Sequence, residues 1–262
     1  MTNRIRISWL VVVWLTTLVL IVAAFVLAQV QGLTDLTKWA QALLFLIPAC
    51  FVTISSFSVY KRFSLHIPEK KTWTYLTISG FSLVLAEVFR LLEHTTPQLS
   101  QNNTIVMISN ILIFVCFIFL IIGFWIQQEN ISTPLGTNVR VLLLILIGVF
   151  AVVLAIGFAK PMFASDLNTV PKIFMLVFLV GDLLMFSGAL ALSIRMWGGT
   201  LAKPWIVWSF GTLVLVGYHL YTTLMILNVS GASIVNEWTG TILAIGLGVL
   251  ATAAEMRRSF QE

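Results

Sequence analysis

Residues 104–126 read TIVMISNILIFVCFIFLIIGFWI, a stretch without one charged side chain. A helix needs roughly 20 predominantly apolar residues to cross the hydrocarbon core of a bilayer. Inside hydrocarbon the backbone polar groups must be satisfied internally, so spanning structures are helices or closed barrels. Runs of the same length and character recur at Trp9 to Gln31, Lys38 to Tyr60, Trp73 to His94, Val139 to Ala159, Lys172 to Met196, Pro204 to Leu227 and Ile234 to Met256. The connectors between them are short and leave no room for a soluble domain. The expectation is an all-α polytopic membrane bundle of eight transmembrane helices, with residues 1–262 forming a single integral membrane domain.

Composition points the same way, with 59% hydrophobic and 10% charged residues against the roughly 25% charged of a soluble domain. Arg4 and Arg6 precede the first run as they would a signal peptide, but the run is too long and lacks a small-residue cleavage site. It is expected to be retained as the first span. Cys50 and Cys116 both lie within apolar runs and make neither a metal spacing nor a disulfide framework. They read as small buried residues.

The basic residues set the orientation. With the N-terminus inside, Arg4, Arg6, Lys61, Arg62, Lys70, Lys71, Arg140, Arg195, Lys203, Arg257 and Arg258 face the cytoplasm. Only Lys38, Lys160 and Lys172 fall outside, and Arg90 lies within a span. The positive-inside rule therefore places both termini in the cytoplasm of a plasma-membrane protein. The net charge of +5 is then an orientation signal, and no nucleic-acid partner is expected.

Two spans begin alike, with Lys71-Thr72-Trp73 and Lys203-Pro204-Trp205. At this offset of 132 residues Leu83 falls on Leu215, Val84 on Val216 and Glu87 on His219. The pattern suggests a tandem parallel repeat of two four-helix units, residues 1–133 and 134–262, related by an axis along the membrane normal. Recurring interfacial anchors would give the same two starts without a duplication.

A charged side chain at the bilayer centre costs about 2.5–3.5 kcal/mol on insertion scales, so each one within a span needs a reason. The candidates are Glu87, Arg90, Glu93 and His94 in the third span, Asp182 in the sixth, His219 in the seventh and Glu237 at the start of the eighth. On a helix of 3.6 residues per turn, Glu87, Arg90 and His94 share one face, and Trp73, Leu76 and Gly80 continue it toward the cytoplasm. The face through His219 carries Trp205, Trp208 and Thr212 below and Thr223 above. By depth all these ionisable residues fall in the outer half and none in the inner. An outward-facing polar cavity between spans three, six, seven and eight is therefore expected, with Glu87, Arg90, His94, Asp182, Tyr218, His219 and Glu237 as candidate ligand-binding residues. The competing reading is a local ion pair between Glu87 and Arg90, with the rest satisfied at the interface.

The chemistry narrows by what is missing. No HxxxH or HxxE spacing supports a metal, and His219 lies deeper than His94, which disfavours a haem held between them. No lysine lies in the interior of a span to carry a retinal Schiff base. Nucleophile-elbow and HExxH motifs are absent too, although Asp182 and His219 could in principle act as acid and base. A transporter's broken helix pair is missing, since Pro48 has no counterpart in span six. The cofactor is unknown. The sequons at Asn102, Asn130 and Asn228 decide nothing.

Gly181-Asp182-Leu183-Leu184, Lys203-Pro204-Trp205, Tyr218-His219-Leu220-Tyr221 and Glu237-Trp238 together resemble the multi-span N-terminal membrane regions of prokaryotic sensor kinases and diguanylate cyclases. The likeness covers mainly spans six to eight. It implies a sensor role, and because those proteins continue into an output domain while this sequence closes soon after Arg257-Arg258, output is expected through a protein partner on the cytoplasmic side. The leading expectation is a non-enzymatic membrane sensor or ligand-binding module. The alternatives are an integral structural subunit of a larger membrane complex and a small transporter or channel.

Overall fold

The computed structural model of the chain describes residues 9–63, 68–95, 103–131, 136–196, 202–227 and 239–260. Every secondary-structure element among them is a helix: α1 Trp9–Val30, α2 Thr34–Arg62, α3 Pro68–Thr95, α4 Asn103–Glu129, α5 Thr137–Ala164, α6 Thr169–Met196, α7 Ala202–Ile226 and α8 Thr239–Ser259. Seven of these are long and apolar enough to cross a membrane. The remaining one, α7, has 25 residues, but Tyr218, His219, Tyr221, Thr222 and Thr223 dilute its apolar character. The chain is thus an all-helical protein of membrane type.

Several helices outrun the apolar stretches that mark them. With 29 residues, α2 is about 43 Å long at 1.5 Å per residue, enough to reach through the headgroup layers as well as the hydrocarbon. Its ends therefore include polar residues that hydropathy leaves out. In α5 a π-helical turn at Ala155–Ala159 precedes Pro161. Proline lacks an N–H and its ring clashes with the carbonyl four residues back in a regular helix; just before it, Lys160 N–H donates to Ala155 O, five residues back. Phe158 is thereby buried with Leu154 and Leu179, against Leu220 and Leu224.

Helix packing closes a ring. In order, α2 packs on α3, α3 on α4, α4 on α6, α6 on α7, α7 on α8, and α8 returns to α2. Outside it, α1 lies on α2 and α8, and α5 lies on α6 and α7. Small residues set the tightest approaches. A Cβ on Gly211 of α7 would stand 3.0 Å from the Gly246 carbonyl oxygen of α8, and one on Gly80 of α3 would stand 3.1 Å from Thr53 Cα of α2.

Inside the ring, the two faces read from the sequence point inward. Trp73, Leu76 and Glu87 of α3 are buried, as are Trp205, Trp208, Thr212 and Thr223 of α7. The Trp73 ring lies 5.5 Å from both Trp205 and Trp208, so the two tryptophan-led starts meet at the same end of the bundle. There Arg257 of α8 donates to both carboxylate oxygens of Glu69 on α3, at 2.7 and 2.6 Å, and covers the Phe63 ring at 5.1 Å. Arg195 of α6 donates to the carbonyls of Gln128 and Ile131 at 2.8 Å each. That satisfies acceptors which the end of α4 leaves without helical partners.

Candidate functional site

Two polar pairs stand toward the other end of the ring. On α3, Arg90 sits one turn after Glu87 and its Nη1 donates to Glu87 Oε1 at 3.1 Å; the carboxylate side chain is 1% exposed and the guanidinium side chain 29%. Tyr218 of α7 borders the same cavity as this guanidinium. The second pair joins α6 to α7. Asp182 Oδ1 lies 3.1 Å from His219 Nδ1, with the Asp182 side chain 1% exposed and that of His219 22%.

The second pair orients the imidazole. Opposite an ionised carboxylate Nδ1 would carry the proton, leaving Nε2 as an acceptor that becomes a donor on protonation. Aromatic rings hold the imidazole plane. Phe117 of α4 stacks on His219 with centroids 4.8 Å apart and 28° between planes, and Phe178 and Tyr218 lie at 5.9 and 5.5 Å.

Both pairs border one cavity of about 50 Å³ lined by Glu87, Arg90, Tyr218 and His219 together with Cys116, Phe117, Leu120, Met185, Leu215 and Leu247, among others. Liquid water takes roughly 30 Å³ per molecule, so the space suits a group of a few atoms. The wall is mostly apolar, and α4 supplies part of it through Ile113, Phe117 and Leu120. A search for polar residues had no means of seeing that contribution. Asp182 reaches the cavity through its bond to His219. Its other oxygen, Oδ2, is buried and has no hydrogen-bond partner among the described residues.

Of the seven residues expected from the sequence, Glu87, Arg90, Asp182, Tyr218 and His219 come together. The side chain of His94 and all of Glu237 lie outside the described residues. Both cysteines are free, and Cys116 Sγ lies 3.2 Å from Ser79 Oγ. Among the described residues no three His, Cys, Asp or Glu side chains converge as a metal site requires.

At the tryptophan end of the bundle Glu255 of α8 is 3% exposed, with one carboxylate oxygen 2.8 Å from Arg258 Nη2. The buried Arg257 and the partly buried Glu69 form a second pair at that end. In the sequence these residues look like boundary anchors. Packing of α3 against the end of α8 turns them into interior charges, and spacing along one helix carries no signal of a partner 188 positions away.

The arrangement can hold a small polar group against the partly accessible Arg90 guanidinium and the His219 ring, whose Nε2 accepts when the ring is neutral and donates when it is protonated. No protein-family model matches the chain, and no match is found among curated proteins or solved structures.

Proposed function

We propose that this chain is a non-enzymatic ligand-binding sensory module of the plasma membrane. Its eight helices cross the bilayer with both termini in the cytoplasm, and the Glu87, Arg90, Tyr218, His219 and Asp182 cluster receives a small ligand in the outer half. The carrying observation is one cavity bordered by the Glu87–Arg90 pair, by Tyr218 and by His219, which Asp182 holds from behind. Among the described residues the buried Asp182 Oδ2 has no hydrogen-bond partner, and leaving such a group unpaired costs about 1–3 kcal/mol.

The eight-span reading is supported by the place of α7, which packs within the ring between α6 and α8 and so need not be as apolar as a lipid-facing helix. Orientation rests on the basic residues gathered at the tryptophan end. The tandem repeat is supported by the contacts themselves. Advancing each helix of the first four by four turns the packing of α1 on α2, α2 on α3 and α3 on α4 into that of α5 on α6, α6 on α7 and α7 on α8, all of which occur. The seam of α4 with α6 then corresponds to that of α8 with α2. Signal would leave through α3, α7 and α8, because α3 and α7 carry both the polar cluster and the tryptophan contacts, and Arg257 ties α8 to α3.

Native mass spectrometry of protein extracted with its own membrane lipid tests the reading. Wild type should retain a small molecule that His219→Phe loses, since phenylalanine keeps the ring stack and removes the hydrogen bond to Asp182. Identical spectra for the two proteins, loaded or empty, would sink it.

A further inference from the structure

The two polar pairs that meet at the cavity do not balance in charge. Glu87 and Asp182 each bring one negative charge and Arg90 one positive, so with a neutral His219 ring the four groups sum to −1. A proton on that ring brings the sum to zero. Both carboxylate side chains are 1% exposed, and a net charge held away from water is poorly screened and costly.

Among the described residues, the neighbours on each side leave that count standing. On α3, Glu93 lies half-buried one turn beyond Arg90 and adds to the negative excess. Cys116 of α4 and Tyr218 of α7 also line the cavity, and their ordinary forms are uncharged at neutral pH. From α8 come only Leu243 and Leu247, and α5 meets α7 through Leu154 and Phe158.

The imidazole is reached from the mouth of the ring and not through lipid. The exposed stripe of α7 carries Phe210 and Gly217; at about 100° per residue, His219 stands roughly 160° round the helix from Gly217. On α3 the exposed stripe is Phe81, Leu85 and Leu92, and Arg90 stands roughly 160° from Leu92 by the same count. The 22% and 29% exposure of the His219 and Arg90 side chains therefore opens inside the ring, at the end away from the tryptophans. Nδ1 faces Asp182, so an incoming proton goes to Nε2, and nothing has to reach the occluded Asp182 Oδ2.

We infer that the Asp182–His219 pair is a proton-binding site, loaded from the aqueous phase at that end, which makes the module responsive to acidity. Water gives up the proton, Nε2 gains it, and the bond from Nδ1 to Asp182 stays in place. This goes beyond the ligand-binding reading and stands on the charges alone, with the cavity filled or empty. The protonated ring shares the cavity with Glu87, so uptake adds an attraction between α7 and α3, the two helices that also meet through Trp73, Trp205 and Trp208.

The test uses the full chain in phosphatidylcholine vesicles with ring-nitrogen-labelled histidine, followed by solid-state NMR over about pH 5 to 8, where an imidazole ordinarily changes charge. His66→Gln and His94→Gln leave His219 alone of the three histidines. Its ring should pass from two protonated nitrogens in acid to one in alkali, the remaining proton on Nδ1. The charge count then fixes the direction of each further variant. Asp182→Asn and Glu87→Gln each remove a negative charge and should lower the midpoint by about one pH unit, a tenfold loss of proton affinity. Arg90→Gln takes the sum to −2 and should raise the midpoint by a similar amount. If Asp182→Asn does not reconstitute, the other two variants carry the same prediction. A ring that keeps one protonation state throughout overturns the inference, and so do midpoints that ignore the sign of the charge removed. If the ring titrates in this way while native mass spectrometry finds no retained molecule, the ligand-binding reading falls and the proton site stands.

Discussion

Asp182 and Arg257 are both charges hidden from solvent, and their surroundings assign them different work. Arg257, 7% exposed in its side chain, gives two parallel hydrogen bonds to Glu69, the bidentate geometry in which guanidinium and carboxylate pair most strongly. Nothing about that pair is left open, so its task is to hold α8 against α3. Removing one member strands the other, which costs about 3–5 kcal/mol for a buried pair. Arg257→Met and Glu69→Gln should each lower the thermal-denaturation midpoint of the detergent-solubilised protein markedly. The double variant should sit close to either single one, since residues in direct contact are not additive. Additive losses would show that the pair is not coupled. Asp182 keeps one oxygen without a hydrogen-bond partner among the described residues, so it is not closed off in the way the Glu69–Arg257 pair is. At this scale the sequence was informative about Glu87, Arg90, Asp182, Tyr218 and His219, because charge deep in an apolar run is visible without coordinates. It was blind to Glu69, Glu255 and Arg257, whose burial depends on which helix end lies beside them.

At the scale of helices, hydropathy located the elements and inverted their importance. The most apolar runs include α1 and α5, and these are the outlying helices with long exposed faces, from Val12 to Leu27 and from Val141 to Ile156. The least apolar of the seven recognised spans, α8, is the most buried. Lipid demands apolar side chains from whatever faces it, whereas an interior helix needs small residues that let neighbours come close. Gly211 and Gly246 supply that fit between α7 and α8. Gly80→Ala should therefore destabilise the protein by about 1–3 kcal/mol, the usual cost of overpacking, because Thr53 stands in the way. Gly148→Ala on α5, where nothing lies within 4 Å, should instead be neutral or gain up to about 1 kcal/mol from helix propensity. Thermal denaturation of the two variants side by side checks the contrast, and equal shifts would remove the argument for a tight α2–α3 approach. The π-turn before Pro161 was not legible in advance. A proline near the end of an apolar run can stop a helix or widen it, and only packing of Phe158 against α6 and α7 decides.

For the molecule as a whole, ring closure makes neither half self-sufficient. Four helices from one half and four from the other meet at the α2–α8 and α4–α6 seams, at the Trp73, Trp205 and Trp208 rings and at the Glu69–Arg257 pair. The near-identical starts of the third and seventh spans hinted at two equivalent units, but which seams join them could not be read from a linear repeat. A chain cut at the α4–α5 connector, giving residues 1–133 and 134–262, puts this to the test. Each fragment alone would bare its tryptophans and one member of the ion pair, an exposed charge-bearing seam that lipid cannot satisfy. Co-expressed fragments should therefore co-purify in equal amounts and bind whatever the intact chain binds, because Glu87 and Arg90 come from one fragment and Asp182 and His219 from the other. Expressed singly, each should aggregate or be degraded. The Arg257→Met substitution in the second fragment should weaken recovery of the first, since it removes a contact that acts only between them. Fragments that are monodisperse alone and indifferent to each other would show two independent bundles, and with them the shared cavity would lose its physical basis.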